Sequence, residues 1–179
     1  MNEKIILDEH LLKLTIHRLA QQLIEQHGNF ENTAIIGIQP RGVYFADRIV
    51  QELQSLNGSD AITYGKLDIS FYRDDVRHDG SIRSYESVIP FSCEGKKVVL
   101  LDDVLYTGRT IRSAMDAILS YGRPAKVELM VLIDRKFSRD LPIQADYIGQ
   151  AIDSVVSQKV KVKWKANDQQ DGVWVYSNK

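Results

Sequence analysis

Val98-Val99-Leu100-Leu101-Asp102-Asp103-Val104-Leu105-Tyr106-Thr107-Gly108-Arg109-Thr110 is the stretch that decides how this chain folds. Its apolar opening fits a strand buried on both faces, as in parallel sheets. The run breaks at Asp102-Asp103 into a loop, Tyr106 to Thr110, after which Ile111, Ala114, Met115, Ile118 and Leu119 recur at helical spacing. Tyr121-Gly122-Arg123-Pro124 ends that helix with glycine and proline in their usual order. A further apolar run, Val127 to Ile133, completes a strand, crossover helix and strand, a unit that is right-handed within a parallel sheet.

The same order occurs upstream. Ala34-Ile35-Ile36-Gly37-Ile38 runs into Gln39-Pro40-Arg41-Gly42, and Val43, Ala46, Ile49, Val50 and Leu53 then share a helical face. Before it, Leu12, Ile16, Leu19, Ala20, Leu23 and Ile24 predict an amphipathic helix stopped by His27-Gly28-Asn29. Lys66 to Phe71 reads as a strand, and Tyr72 to Glu86 as a long polar loop, a kind that is usually functional or mobile. In the tail, Val160, Val162 and Trp164 alternate with Lys159, Lys161, Lys163 and Lys165. Gly172 to Tyr176 is the expected antiparallel partner, with Asn167 to Asp171 as the hairpin connection. The pattern predicts an α/β fold: a mainly parallel central sheet flanked by helices, with a long polar loop and a small antiparallel tail, in one domain over residues 1–179.

Composition narrows the function classes. The chain has 179 residues, and Lys plus Arg total 23 against 24 Asp plus Glu, a net charge of -1 that supplies no global attraction to nucleic acid or anionic lipid. Cys93 is the single cysteine, which excludes an intrachain disulfide or a thiolate metal cluster. The four histidines, His10, His17, His27 and His78, lack metal-ligand spacing. The opening residues lack a secretory apolar core and no run reaches the roughly 20 apolar residues of a membrane helix. A cytoplasmic protein is expected.

In parallel α/β sheets the ligand lies beyond the carboxyl ends of the strands, where Asp102 and Asp103 sit. Adjacent carboxylates leaving a buried strand repel one another, and hydroxyl donors, a cation or a basic neighbour relieve them. Ribose hydroxyls and a magnesium complex both qualify. Thr107-Gly108-Arg109-Thr110 adds two hydroxyls, a glycine for close approach and backbone amides at a helix start, which together form an anion cradle. Neither GxGxxG nor GxxxxGK[ST] occurs, so a phosphate ligand other than a dinucleotide or a P-loop nucleotide is implied.

Val98 to Thr110 closely resembles the thirteen-residue phosphoribosyl diphosphate signature of type I phosphoribosyltransferases. In that family the acids hold the ribose hydroxyls, and the loop amides and threonines hold the 5′-phosphate. The resemblance therefore places substrate on Asp102, Asp103, Val104, Leu105, Tyr106, Thr107, Gly108, Arg109 and Thr110, with Mg2+ held indirectly by the two acids. LDISFYRDD (Leu67 to Asp75), YGRPAKVELMVLIDR (Tyr121 to Arg135) and LPIQADYIG (Leu141 to Gly149) further resemble the PyrR family of bacterial pyrimidine operon regulators. That family implies a uracil phosphoribosyltransferase making UMP and diphosphate from uracil and 5-phosphoribosyl 1-diphosphate, and in many members an attenuator that binds the mRNA leader.

On this resemblance Pro40, Arg41 and Gly42 form the diphosphate loop, with Arg41 joining Asp102 and Asp103 as a catalytic candidate. Ser70, Tyr72, Arg73, Asp74 and Asp75 belong to a lid that excludes water. Asp134 and Arg135 end the third strand and border the base pocket. A homo-oligomer, dimer or higher, is implied. Lys13, Arg18, Lys136 and Arg139 are the candidates for a basic RNA patch, although Gln21 and Gln144 stand where RNA-binding relatives carry basic or histidine side chains. The alternatives are an RNA-binding regulator with little activity, and a phosphoribosyltransferase for orotate or a purine.

Overall fold

The computed structural model describes residues 2–58, 62–73, 85–153 and 158–177. Five strands form a parallel sheet: β2 (Thr33–Ile38), β3 (Thr63–Leu67), β4 (Lys97–Leu105), β5 (Lys126–Lys136) and β6 (Tyr147–Asp153), in the order β3-β2-β4-β5-β6. Helix α1 (Glu9–His27) precedes them, α2 (Gly42–Asn57) connects β2 to β3, and α3 (Arg109–Ile118) connects β4 to β5. The chain thus leaves β2 toward one edge of the sheet and β4 toward the other. These neighbouring strands flank the switch point, where an open parallel sheet forms its ligand crevice.

Burial follows the expected periodicity. All six residues of β2 are buried, and one apolar cluster joins Leu12, Leu19 and Leu23 of α1 to Phe45, Ile49 and Leu53 of α2 over the sheet. A second cluster packs Ile111, Ala114 and Ile118 of α3 against Val98, Leu100 and Val131 on the opposite side. Helix α1 starts at Asp8, whose carboxylate accepts from the Leu11 amide at 2.8 Å, and Glu9 in its first turn adds favourable charge. Among the described residues, no helix is long and apolar enough to cross a membrane.

A smaller antiparallel sheet has the order β1-β8-β7, from β1 (Asn2–Leu7), β7 (Gln158–Lys163) and β8 (Gly172–Ser177). Its Val162, Val173 and the following Trp164 join the core of α1 and α2. The tail alternation holds, but the expected simple hairpin is corrected twice: a short helix α4 (Lys165–Asp168) occupies the connection, and β1 adds a third strand that local pattern did not reveal. The lysine stripe is largely neutralised in place. Lys161 lies 3.5 Å from Asp168, Lys163 lies 3.5 Å from Glu3, and Lys165 pairs with Glu9.

Two strand boundaries also differ from expectation. The strand expected over Lys66 to Phe71 ends at Leu67, because Asp68 turns the chain: its carboxylate accepts from the Ser70 amide at 3.1 Å, the Ser70 hydroxyl at 2.7 Å and the Tyr85 amide at 3.1 Å. Conversely, β4 does not break at its acids. Ladder pairing continues through Asp102–Val131 to Leu105–Asp134, so the carboxylates are carried by the strand itself.

Candidate active site

The carboxyl ends of β2 and β4 deliver Gln39-Pro40-Arg41-Gly42 and Asp102-Asp103 into the switch-point crevice. The Gln39-Pro40 peptide is cis. Gly42, the first residue of α2, lets that helix start directly against β4: an added Cβ would lie 2.6 Å from the Leu101 carbonyl oxygen and 3.1 Å from Asp102 Oδ1. Gly42→Ala is therefore expected to cost about 2 kcal/mol through overpacking, seen as a melting temperature lower by about 6 °C in a calorimetric scan.

Asp102 and Asp103 are each only 7% exposed. Burial raises both acids above the ordinary carboxylate range. For Asp102 the repulsion of Asp103 adds to this, whereas Arg41 partly offsets the effect at Asp103. The Arg41 guanidinium lies 3.2 Å from Asp103 Oδ2 through Nε, donates to the Val162 carbonyl, and approaches Asp168 Oδ2 at 3.8 Å. The small sheet thus holds the side chain of Arg41 from its far side. Val162 and Asp168 were not site candidates, since nothing local in the tail marks them as neighbours of the acids.

A cavity of about 290 Å3 opens beside Asp102. Residues 104–111 line it together with Arg73, Asp102 and Ser113. Gly108 caps α3 in the left-handed region, φ 91°, where other residues are strained. Neither α2 nor α3 has a side-chain cap, in contrast to α1 with Asp8. In their first turns the Tyr44 amide bonds the Arg41 carbonyl at 3.1 Å and the Arg109 amide lies 3.4 Å from Thr107 Oγ1, and both helices start at the crevice, where the remaining amides face solvent or a ligand. Ser113, which sequence reading passed over, donates to the carbonyls of Tyr72 at 3.0 Å and Arg109 at 3.1 Å and so ties the start of the expected lid to α3. Asp74, Asp75 and the rest of that lid up to residue 84 lie outside the described residues.

The other candidates are placed differently. Pro40, Arg41, Gly42 and Asp103 border the crevice but do not line this cavity. Asp134 and Arg135 are buried, 8% and 6% exposed, and β5 continues past them to Lys136. Arg135 stacks over the Tyr106 ring at 4.0 Å and donates to the Gln158 carbonyl at 3.0 Å, while Asp134 is bonded to Arg139. Of the residues expected in a basic patch, Lys13, Arg18 and Lys136 are exposed. Arg18 donates to the Gly149 carbonyl at 2.6 Å on the sheet edge, and Arg139 is turned inward onto backbone carbonyls. Two of the four guanidinium and ammonium groups thus serve the fold, because buried or edge carbonyls must find donors.

His27, expected at a helix end, is there but buried. Its Nε2 is 2.9 Å from Glu128 Oε2 and its Nδ1 is 3.1 Å from Thr33 Oγ1. This polar network lies at the opposite, amino-terminal end of the strands from the crevice.

A family model described as phosphoribosyl transferase domain matches residues 2–167. The chain is 41% identical over 184 residues to the Bifunctional protein PyrR of Bacillus subtilis (strain 168), covering 99% of each. It is 40% identical over 175 residues to the Bifunctional protein pyrR of Enterococcus faecalis (strain ATCC 47077 / OG1RF), covering 98% of this chain and 97% of the relative. Among solved structures, a hypoxanthine phosphoribosyltransferase from Staphylococcus aureus is similar with a TM-score of 0.71 at 19% identity, covering 98% of this chain and 92% of that one. At that identity the likeness establishes the fold alone.

Proposed function

Because the chain belongs to the phosphoribosyltransferase family, and within it to the bifunctional PyrR proteins, we propose that it transfers a phosphoribosyl group from 5-phosphoribosyl 1-diphosphate to uracil, releasing diphosphate and UMP. The observation that carries this reading is the cavity at the switch point, where residues 104–111 and Asp102 meet the uncapped start of α3. An anion on the loop amides with a diol beside the acids is what such a surface accommodates.

In the reaction, the amides and hydroxyls of Thr107, Gly108, Arg109 and Thr110 hold the 5′-phosphate. Asp102 and Asp103 accept hydrogen bonds from the ribose hydroxyls and so fix the sugar as positive charge develops at its anomeric carbon. Pro40, Arg41 and Gly42 face the departing diphosphate, and Arg41 supplies positive charge where negative charge accumulates. Arg73 closes over the same side. Asp134 and Arg135 bound the base. Two carboxylates form an oxygen donor set suited to a hard cation, and among the described residues no group of three metal-ligating side chains assembles. Asp102 and Asp103 would hold a substrate-borne Mg2+ indirectly, through substrate or water, and the ion would supply positive charge toward the diphosphate.

The second activity implied by a bifunctional protein is binding of an mRNA leader, with UMP acting through the same pocket. Reciprocal coupling between nucleotide and RNA follows from linkage. Lys13, Arg18 and Lys136 remain its exposed basic candidates.

The test is a product assay with uracil, orotate, hypoxanthine and guanine as separate acceptors. UMP formed in step with diphosphate is expected from uracil alone. Product from another base overturns the base assignment. No product from any base, together with retardation of pyrimidine leader RNA in a gel shift, leaves a regulator with little activity. No retardation at moderate salt, with or without UMP, overturns the RNA reading.

A further inference from the structure

We infer that Arg139 is the positioning residue of the phosphate loop, setting the direction of its amides from behind; this rests on the proposed phosphoribosyl site. Arg139 is distant in sequence from the loop and does not line the cavity. Its guanidinium nonetheless makes a fan of bonds to the ends of β4 and β5 and to the segment that leads into β6. Nη1 donates to the Tyr106 carbonyl at 2.6 Å, to the Arg135 carbonyl at 2.9 Å and, more loosely, to the Leu105 carbonyl at 3.4 Å. Nε donates to the Ile143 carbonyl at 3.0 Å, and Nη2 to the Asp134 carboxylate. The next two residues continue the contact, since the amides of Asp140 and Leu141 both donate to the Thr107 carbonyl, at 3.0 and 3.2 Å.

The consequence follows from peptide geometry. A trans peptide is planar, with its C=O and N–H pointing in opposite directions. With the carbonyls of Tyr106 and Thr107 drawn toward the segment from Arg139 to Leu141, the amides of Thr107 and Gly108 are turned the other way, to the side of the loop that lines the cavity. The side chains of Leu141 and Ile143 close the back of the loop: a Cβ added at Gly108 would lie 3.5 Å from Leu141 Cβ and 3.2 Å from Ile143 Cδ1. A loop whose carbonyls could rotate into the cavity would meet a phosphate with like charge. Arg139 prevents this, and through Asp134 it joins the loop to the end of β5. Only a forked donor can bridge these acceptors; an ammonium is a single point of charge.

The experiment is titration calorimetry of ribose 5-phosphate, and of ribose as a phosphate-free control, on the wild-type chain, Arg139→Gln and Arg139→Lys, beside steady-state kinetics. Both variants are expected to bind ribose 5-phosphate about 30-fold more weakly, the size of effect seen when buried acceptors lose their donor. KM for phosphoribosyl diphosphate rises correspondingly, while ribose, which lacks the phosphate, loses less than about threefold in affinity, a split that general loosening of the fold would not give. If Arg139→Gln fails to fold, Arg139→Lys carries the test. Wild-type affinity for ribose 5-phosphate in Arg139→Lys, or an equal loss of affinity for ribose, overturns the assignment of Arg139. A wild-type chain that binds no ribose 5-phosphate overturns instead the reading of the site on which it rests.

Discussion

Asp103→Asn is expected to lower kcat/KM for UMP formation by about 10^3, the scale on which removing one preorganised electrostatic contact acts in a buried site. Asparagine keeps the shape and one acceptor but removes the charge that faces Arg41 at 3.2 Å and the sugar. It also lifts the repulsion that adds to burial in raising Asp102. The pH profile separates these effects. In the wild-type chain, the buried acids bind a proton at a pH above the ordinary carboxylate range, so kcat/KM falls as pH drops through that raised range. In Asp103→Asn the acid limb moves to lower pH, because only the burial of Asp102 remains. Steady-state rates across pH, with phosphoribosyl diphosphate varied, measure both. Unchanged kcat/KM in Asp103→Asn would remove this residue from the site.

Glu128→Ala is expected to destabilise the fold by about 3 kcal/mol, because it strands buried polar partners, equivalent to about 9 °C in melting temperature. Glu128 is 3% exposed, and its carboxylate accepts from the Tyr147 hydroxyl at 2.8 Å and faces His27 Nε2 at 2.9 Å. Burial pushes the Glu128 carboxyl up, but hydrogen bonds from Lys126 and Tyr147 and the charges of His27 and Lys126 outweigh it and hold the group below its ordinary value. Burial pushes His27 down, and Glu128 only partly reverses this. The network at neutral pH is therefore neutral imidazole on carboxylate, with Nε2–H donating to Glu128 and Nδ1 accepting from Thr33.

Both groups bind protons more readily when unfolded, so stability rises with pH in their range. The His27 contribution is present above pH 6.5 and is lost as pH falls through its lowered folded value; the Glu128 contribution is lost below pH 4.5. Melting scans from pH 8 to pH 4 should fall over a wider range below pH 6.5 in Glu128→Ala, because His27 loses the carboxylate that partly reverses its lowering. A variant that melts like the wild-type chain would show that the network does not hold these strands together.

The central layout was legible because its signals are local. Apolar runs of strand length, loops with glycine at the turn, and helical periodicity after each loop are written within a few dozen contiguous residues. Parallel strands joined by such helices leave their loops at one end. The loop from Tyr106 to Thr110 could thus be located at the end of β4 from the sequence alone. Even so, Asp102 and Asp103 looked like turn residues, since two adjacent acids break a hydrophobic pattern whether or not the backbone ladder continues beneath them. Asp68 misled in the opposite sense: the apolar pattern ran on to Phe71, but a short side chain that captures neighbouring amides ended the strand.

By itself, the amino-acid sequence determined the α/β class, the strand–loop–helix order and the loop from Tyr106 to Thr110 after β4, all of which depend on neighbours along the chain. Tertiary structure alone decided which polar groups meet: Arg41 with the Val162 carbonyl 121 positions away, His27 with Glu128 101 positions away, β1 with β8, and Arg139 with the Tyr106 carbonyl. The physical reason is that hydrophobic burial is periodic and leaves a one-dimensional trace. The pairing of a buried donor with its acceptor depends on strand order and register, and it follows no period along the chain.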